Sequence, residues 1–211
     1  MRARLGLLGG TFDPIHVGHL ALARSALEAL RLDRVALVPS GRPWQKPGLC
    51  TSAADRLEMA RLAVAGQAQL SVDGLELERP GRTYTIDTLC ALRARLGAEC
   101  MLVWLMGSDQ LRNLSSWSRW RELVDHAHLA VTQRERVRLD ALPAEVDALV
   151  AERGADALPD APSGSIVFFR MPAVPVSATA LRAQLARGER PDGLVAPAVL
   201  DYIDRHHLYG H

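Results

Sequence analysis

Two histidines stand three residues apart at the start of the first helical segment of this chain. His16 and His19 follow a glycine pair, Gly9 and Gly10, that ends a short apolar run. Side chains at positions i and i+3 share one helix face, so both imidazoles are predicted to lie beside the helix N-terminus. Such a terminus offers backbone N–H groups and partial positive charge, and glycines let the backbone approach a ligand closely. The combination predicts an anion site, with phosphate as its natural ligand.

The glycines do not form the dinucleotide fingerprint. Residues 6–10 have the spacing Gly-x-x-Gly-Gly, whereas the fingerprint is Gly-x-Gly-x-x-Gly, so a bound NAD is not implied. A lone histidine is more often a packed or surface residue than a ligand. Here, however, His-x-Gly-His follows Gly-Gly-Thr-Phe-Asp-Pro, and Gly18 leaves a side-chain position empty between the imidazoles. We interpret the pair as part of a ligand site.

A second set of anion-binding groups lies far along the chain. Ser177, Thr179 and Arg182 open a segment of helical spacing, with Ser177 as the expected N-cap. Seen alone, this is typical of a capped surface helix. Beside the histidine pair, two hydroxyls, backbone amides and a guanidinium predict a second phosphate cradle, because the fixed fork of arginine fits phosphate oxygens and keeps its proton.

Two loops carry further polar candidates. Arg42 and Lys46 lie in a Pro- and Gly-rich loop at 40–47, where they could reach an anionic ligand or be solvated. Asp109 follows the most apolar run, 101–106, and open parallel sheets bind ligands at the carboxyl ends of such strands. Its carboxylate could accept a hydrogen bond from a ribose hydroxyl, hold a metal-bound water or cap a helix.

Thr85 and two tryptophans complete the candidates. Thr85 is a plausible N-cap for a helix over 86–96 that Gly97 would end. Trp117 and Trp120 are predicted to lie one turn apart on a short helix, and Trp120 is expected in the core. Alone, both observations are typical of ordinary structure.

Several of these stretches together resemble a known family. GGTFDPIHVGHL resembles the first motif of the nucleotidyltransferases with an HxGH signature, and among them the nicotinate-mononucleotide adenylyltransferases. Further matches are Thr83-Tyr84-Thr85 with Thr88-Leu89, Trp117, and Ser177-x-Thr179-x-x-Arg182. The resemblance implies a Rossmann-like nucleotidyltransferase fold and a reaction of ATP with nicotinate mononucleotide. The products would be deamido-NAD (nicotinate adenine dinucleotide) and pyrophosphate, with Mg²⁺ accompanying ATP.

The resemblance also implies roles for individual residues. The implied catalytic residues are His16, His19, Lys46 and Arg182. The implied ATP-binding residues are Gly9, Gly10, Thr11, Phe12, His19, Gly107, Asp109, Ser177, Thr179 and Arg182. The implied nicotinate mononucleotide-binding residues are Thr11, Lys46, Tyr84, Thr85 and Trp117, the last by stacking on the pyridine ring. Gln45 stands where the family commonly has histidine, Val176 replaces isoleucine, and Arg134 could approach the triphosphate.

The implied reaction needs no side-chain nucleophile. The second pKa of a phosphate monoester is about 6, so the attacking group is already anionic at neutral pH. Catalysis then consists of aligning two anions and stabilising charge on the α-phosphorus and on pyrophosphate.

Other functions remain open from the sequence. The same chemistry could act on nicotinamide mononucleotide or phosphopantetheine, or the chain could be a non-catalytic module that senses ATP or NAD. A fragment of an aminoacyl-tRNA synthetase would share HxGH, but no KMSKS-like loop is present.

Composition limits the class of protein. Of 211 residues, 48% are hydrophobic and 23% charged, which is typical of a globular chain with a substantial core. The formal charge of +1 gives no general electrostatic case for nucleic acid. Three cysteines without CxxC spacing suit reduced thiols rather than a disulfide or zinc framework. We expect a cytoplasmic protein with no membrane span, and the oligomeric state stays open, with a homo-oligomer allowed.

The order of elements predicts the fold class. Apolar runs alternate with helical segments, which favours a doubly wound α/β fold with a mostly parallel sheet. The predicted strands lie at 5–8, 35–38, 101–106, 127–131 and 166–169, and a further strand with its exit is predicted within 69–77. A helix is also predicted near 144–153 and another over 197–209. We expect one domain over 1–211, with a charged, loop-rich segment at 133–164.

Overall fold

The computed structural model describes residues 2–42, 49–133 and 142–210 of the chain. Lys46, Gln45 and Arg134, which the sequence analysis singles out, lie outside the described residues. Within the described residues no helix is long and apolar enough to cross a membrane.

Strands and helices alternate along the chain. The strands are β1 Arg4–Gly10, β2 Arg34–Pro39, β3 Leu70–Val72, β4 Met101–Gly107, β5 His128–Gln133, β6 Gly154–Ala155 and β7 Ile166–Arg170. The helices are α1 Val17–Ala29, α2 Ala53–Val64, α3 Thr85–Leu96, α4 Ser108–Arg112, α5 Leu123–His126, α6 Ala144–Arg153, α7 Ala178–Leu185 and α8 Pro197–Arg205. Two short 3₁₀ turns, Leu114–Ser116 and Trp120–Glu122, connect α4 to α5.

The strands described form one parallel sheet in the order β3-β2-β1-β4-β5-β7-β6. The chain proceeds outward from β1 through β2 to β3 and then returns to the other side of β1, where β4 and β5 follow. Strand β6 forms the edge, and β7 lies between β5 and β6. This confirms the predicted doubly wound α/β fold. The switch point lies between β1 and β4, and ligands bind at the carboxyl ends of the strands there.

Helices cover both faces of the sheet because the central strands are apolar on both. In β4, Val103 and Leu105 point to one core, whereas Leu102 and Trp104 point to the other. The first core includes residues of α1, α2, α7 and α8, and the second includes residues of α3, α4, α5 and α6. Continuous burial along a strand is the signature of a parallel sheet buried on both sides.

Three local expectations were wrong in detail. Trp117 and Trp120 do not share a helix, since Trp117 ends the first 3₁₀ turn and Trp120 begins the second. Trp120 is also half-buried rather than in the core. The last helix ends at Arg205 instead of continuing to Tyr209. Helix α3 begins one residue early, with Tyr84 at the N-cap position and Gly97 at its end, where φ is 85°.

His128 is a fully buried histidine on β5 that gives the fold a pH dependence. Its Nδ1 accepts a hydrogen bond from the Ser165 backbone N–H at 3.2 Å, and Nε2 lies 2.9 Å from the Ala161 carbonyl. Burial lowers the pKa of His128 below the ordinary 6.5, because a charged ring would lose its hydration there. Stability from the neutral ring is therefore complete above about pH 6.5 and decreases as the pH falls towards the lowered pKa.

We expect the melting temperature to fall between about pH 7 and pH 5, because the contribution of His128 to the free energy of unfolding decreases over that range. Each kcal/mol of this contribution that is lost should lower the melting temperature by about 2–4 °C. His128→Gln should start lower and show a flatter pH dependence, because glutamine does not titrate. His207→Asn, at an exposed histidine, is the control and should keep the wild-type slope. An unchanged slope in His128→Gln would contradict this account.

Candidate active site

A cavity of about 410 Å³ opens at the switch point between β1 and β4. The ends of both strands, the start of α1 and the segment before α7 contribute to its walls. The candidate site residues that line it are Gly9, Gly10, Thr11, His16, His19, Gly107, Asp109 and Trp117. Leu22, Val174 and Val176 add apolar surface. The fold thus gathers residues from all three thirds of the chain around one space.

The two imidazoles form a stacked pair at the start of α1. Their ring centroids are 3.8 Å apart with an interplanar angle of 23°. The backbone N–H of His16 donates to Nδ1 of His19 at 3.2 Å. Because Nδ1 accepts, the proton of a neutral His19 ring lies on Nε2, which makes that nitrogen a hydrogen-bond donor. Phe12 holds the ring edge-on, with centroids 5.0 Å apart.

Gly18 between the histidines permits a close contact with the segment before α7. A Cβ atom at Gly18 would lie 2.8 Å from Cγ1 of Val176, a distance that real Cβ atoms do not adopt. The backbone N–H of Val17 also donates to the Leu194 carbonyl at 2.9 Å. The glycine therefore lets the two predicted phosphate-binding segments meet. Likewise, Gly9 lies against the ring of Trp104, which fills the space of a missing side chain.

Arg182 reaches the same turn from α7. Its Nη1 donates to the Asp13 carbonyl at 2.8 Å, and its Nη2 lies 3.4 Å from Oγ1 of Thr179. Ser177 is the N-cap of α7 as predicted, since its hydroxyl accepts from the Ala180 N–H at 3.5 Å. The structure thus brings the guanidinium to the turn that carries the histidines, although Arg182 is not part of the cavity wall.

Arg56 is the residue that the sequence analysis missed. A charged residue on a helix such as α2 is expected to be solvated, but Arg56 is only 1% exposed. Its Nη1 donates to the Thr11 carbonyl and its Nη2 to the Gly41 carbonyl, each at 3.0 Å. Burial lowers the pKa of Arg56, and the nearby Asp13 carboxylate opposes that shift. The sequence did contain a sign of this burial, because Arg56 lies on the same helix face as Met59, Ala60 and Ala63, which are also buried.

Asp109 places a carboxylate at the cavity from the short helix α4. The side chain is exposed, and the contact at the helix start comes instead from Gln110, whose Oε1 accepts from the Gly107 N–H at 2.9 Å. The capping alternative for Asp109 is therefore not adopted. Its predicted contact with a nucleotide stays a prediction.

The start of α3 lies next to the loop after β2. The Thr83 N–H donates to the Arg42 carbonyl at 3.1 Å, and Tyr84 and Trp117 pack against the same core cluster. Tyr84 and Thr85 do not line the cavity, whereas Trp117 does. The remainder of that loop, 43–48, lies outside the described residues.

A buried carboxyl fixes the first turn of α3. The Thr88 hydroxyl donates to Oε1 of Glu76 at 2.6 Å and accepts from Nη2 of Arg79 at the same distance. Glu76 is 5% exposed, and burial raises its pKa. These contacts hold the helix N-terminus in place, so its backbone N–H groups keep a fixed direction.

The described residues contain no group of three or more His, Cys, Asp or Glu side chains placed to hold a metal ion. Among the described residues, the cavity wall provides the two imidazoles, backbone amides and one carboxylate, that of Asp109. Donors of this kind suit phosphate and ribose oxygens.

A parallel sheet with donors at its switch point defines the α/β nucleotide-binding class of protein. Sequence comparison is more specific. A sequence model of the cytidylyltransferase-like family matches residues 7–184. A protein of Chromobacterium violaceum, described as a probable nicotinate-nucleotide adenylyltransferase, is 46% identical over 211 residues and covers 99% of this chain and 100% of its own. One of Herminiimonas arsenicoxydans with the same description is 43% identical over 210 residues, covering 97% and 96%.

Structure comparison agrees on the fold. Nicotinic acid mononucleotide adenylyltransferase of Plasmodium falciparum, solved with NaAD, matches with a TM-score of 0.75 and 18% identity over 99% of this chain and 98% of that one. The chain therefore belongs to the cytidylyltransferase-like family and, within it, to the nicotinate-nucleotide adenylyltransferases.

Proposed function

We propose that this enzyme transfers the adenylyl group of ATP to nicotinate mononucleotide, giving nicotinate adenine dinucleotide and pyrophosphate in NAD biosynthesis. The observation that carries the proposal is the stacked pair of His16 and His19 at the switch point, with Arg182 bound to the same turn. The curated relatives are named for this activity, and they match over nearly the whole chain.

The reaction is an in-line displacement at the α-phosphorus. An oxygen of the nicotinate mononucleotide phosphate forms the new bond, and the bond from the α-phosphorus to the oxygen of the β-phosphate breaks. Both reactants are anions, and no proton has to be removed at pH 7 because the second phosphate pKa is about 6. The enzyme therefore acts by alignment and by stabilising the charge of the departing pyrophosphate.

The proposed roles follow from donor positions. Nε2 of His19 donates to an α- or β-phosphate oxygen, and His16 supports it by stacking. Arg182 and Lys46 neutralise the polyphosphate. The remaining ATP contacts come from backbone and hydroxyl groups at Gly9, Gly10, Thr11, Phe12, Gly107, Ser177 and Thr179, and from Asp109 at the ribose.

The acceptor is proposed to lie between Trp117 and the start of α3. Trp117 stacks on the pyridinium ring, while Thr11 and Lys46 contact its nucleotide. The N-terminal amides of α3, at Tyr84 and Thr85, receive the nicotinate carboxylate. A helix N-terminus stabilises an anion by about 0.3–1 kcal/mol, and a neutral carboxamide gains less, which favours nicotinate over nicotinamide.

Mg²⁺ is proposed to enter as part of the substrate, bound to the triphosphate of ATP. Asp109 is the residue whose carboxylate could hold a water of that ion. When bound, the ion supplies charge neutralisation on the phosphates. We further propose that the whole chain acts as one cytoplasmic domain with no nucleic-acid or membrane partner.

Trp117→Ala is expected to lower kcat/KM for the acceptor and to leave the KM for ATP unchanged. A cation–π contact is worth about 0.5–2 kcal/mol, which corresponds to roughly 2- to 30-fold. Trp120→Ala is the matched control, because that ring is also half-buried but contacts Arg121 at 4.3 Å instead. Equal losses in both variants, or a loss confined to ATP, would contradict the stacking role.

The proposal as a whole is tested by pyrophosphate release from ATP with three acceptors compared: nicotinate mononucleotide, nicotinamide mononucleotide and phosphopantetheine. We expect the highest kcat/KM with the first. Higher kcat/KM with another acceptor would reassign the substrate. ATP binding without pyrophosphate release from any acceptor would instead indicate a nucleotide-sensing module.

A further inference from the structure

The turn between β1 and α1, residues 11–16, has an unfavourable backbone that other elements must hold. Phe12 adopts φ of 51°, a left-handed conformation that is unfavourable for a residue with a side chain. Such a conformation persists only where the surroundings over-determine it. The same turn leads directly into His16, so its shape sets the position of both imidazoles.

Side chains from three distant segments hold this turn. Arg56 of α2 binds the Thr11 carbonyl, and Arg182 of α7 binds the Asp13 carbonyl. The third contact comes from the segment after α8, where the Tyr209 hydroxyl donates to Oδ1 of Asp13 at 2.7 Å.

The Asp13 carboxylate is the centre of these contacts. It is 3% exposed. Oδ1 accepts from the hydroxyls of Tyr209 and Thr51, the latter at 2.8 Å, and Oδ2 accepts from the Cys50 N–H at 3.1 Å. A buried carboxylate is costly unless it is hydrogen-bonded. Loss of one donor therefore destabilises the present conformation of the turn and favours its rearrangement.

Tyr209 is suited to act as a permanent donor. The residue is 8% exposed, and burial together with the Asp13 charge raises the pKa of its hydroxyl. The hydroxyl therefore keeps its proton throughout the pH range in which the enzyme works. The side chain belongs to the first core, and its hydroxyl also lies 3.9 Å from Sδ of Met59. Replacing Tyr209 with phenylalanine therefore removes one oxygen with its contacts and keeps the ring.

We propose that Tyr209 is a positioning residue for adenylyl transfer: its hydroxyl holds Asp13, and through it the 11–16 turn, so that His16 and His19 face the nucleotide phosphates. This proposal rests on the proposed function for its kinetic consequence. The structural part, control of the turn by the Tyr209–Asp13 hydrogen bond, does not depend on which acceptor the enzyme uses.

Tyr209→Phe is the test, and Tyr202→Phe is its matched control. Tyr202 also anchors the C-terminal region to α2, because its hydroxyl donates to Oδ1 of Asp55 at 3.0 Å, but it does not contact the turn. Each change removes a hydrogen bond to a carboxylate, so both should lower the melting temperature. The decrease should be larger for Tyr209→Phe, because Asp13 is buried and Asp55 is only partly buried. Only Tyr209→Phe should alter the site.

The kinetic readout is kcat for pyrophosphate release. Misplacing a catalytic group by about 1 Å can cost 10²-fold, and we expect Tyr209→Phe to lose about tenfold in kcat. Tyr202→Phe should keep the wild-type value. Thr51→Val removes the other donor to Oδ1, so its effect should be non-additive with that of Tyr209→Phe if both act through Asp13.

The second readout is hydrogen exchange of the backbone amides of residues 11–13, 15 and 16, since Pro14 has no N–H, and this measurement requires no turnover. Exchange should be faster in Tyr209→Phe and unchanged in Tyr202→Phe. Equal behaviour of the two variants in both readouts would overturn the proposal while leaving the proposed function intact. If the wild-type enzyme releases no pyrophosphate, the proposed function is wrong. The hydrogen-exchange comparison of the two variants would then still test whether Tyr209 holds the turn.

Discussion

Replacing His19 with alanine is expected to lower turnover by about 10²–10³-fold, the effect of losing one donor to developing charge. The reason is geometric. The His16 N–H makes Nδ1 of His19 an acceptor, so the proton of the neutral ring lies on Nε2, which is the proposed donor to the phosphate. Single-turnover kinetics of pyrophosphate release would separate this chemical effect from product release.

Two further substitutions at His19 test which nitrogen matters. The amide nitrogen of glutamine reaches the position of Nε2, whereas asparagine reaches only that of Nδ1. His19→Gln should therefore retain clearly more turnover than His19→Asn, and His19→Ala should be the slowest. Melting temperatures serve as the control for folding. Near-full turnover of His19→Ala, or equal rates for the two amides, would show that Nε2 is not the donor.

Arg182→Lys is expected to lower kcat/KM for ATP by about 10²-fold, near the lower limit for loss of a phosphate donor. The guanidinium makes two directed contacts at once, to the Asp13 carbonyl and to Thr179. In the proposed mechanism its charge also neutralises the polyphosphate. An ammonium group keeps the charge but cannot reproduce the planar fork. The loss should therefore appear even though the net charge is unchanged.

Arg187→Lys provides the comparison for Arg182. Its guanidinium lies just beyond the same helix and pairs with Glu189 at the surface, with Nε 2.6 Å from Oε1. This variant should keep wild-type kinetics. Arg182→Met should be slower than Arg182→Lys because it also removes the charge. Identical rates for Arg182→Met and wild type would exclude a role for this side chain in binding ATP.

Much of the fold could be predicted from local pattern. The apolar runs at 35–38 and 101–106 became β2 and β4 because strands covered on both faces must be apolar throughout. Helix α6 has the predicted bounds. The two-residue strand β6 and the 3₁₀ turns around Trp117 were not predicted, because such short pieces have no periodicity to read.

The site was predictable where its residues are close in sequence and not elsewhere. The pattern His-x-Gly-His gives the stacked pair, although His16 is the extended N-cap of α1 and not part of the helix as expected. The two rings meet because the His16 backbone N–H donates to the ring of His19. No local rule connects Arg56 with Thr11, or Tyr209 with Asp13, 196 residues away. A charged residue on a helix is ordinarily solvated, so burial of Arg56 becomes visible only when its partners are in place.

The long separation between Asp13 and its partners has a consequence for synthesis of the enzyme. A ribosome completes β1, α1 and the histidine pair early, but the contacts from Arg182 and Tyr209 join the turn across 169 and 196 residues of chain. Because chains emerge at about 5–20 residues per second, the turn waits on the order of ten seconds for these two anchors. We expect a nascent or truncated chain to have the sequence motif without a competent nucleotide site, so that activity begins only once translation has passed the last of these contacts.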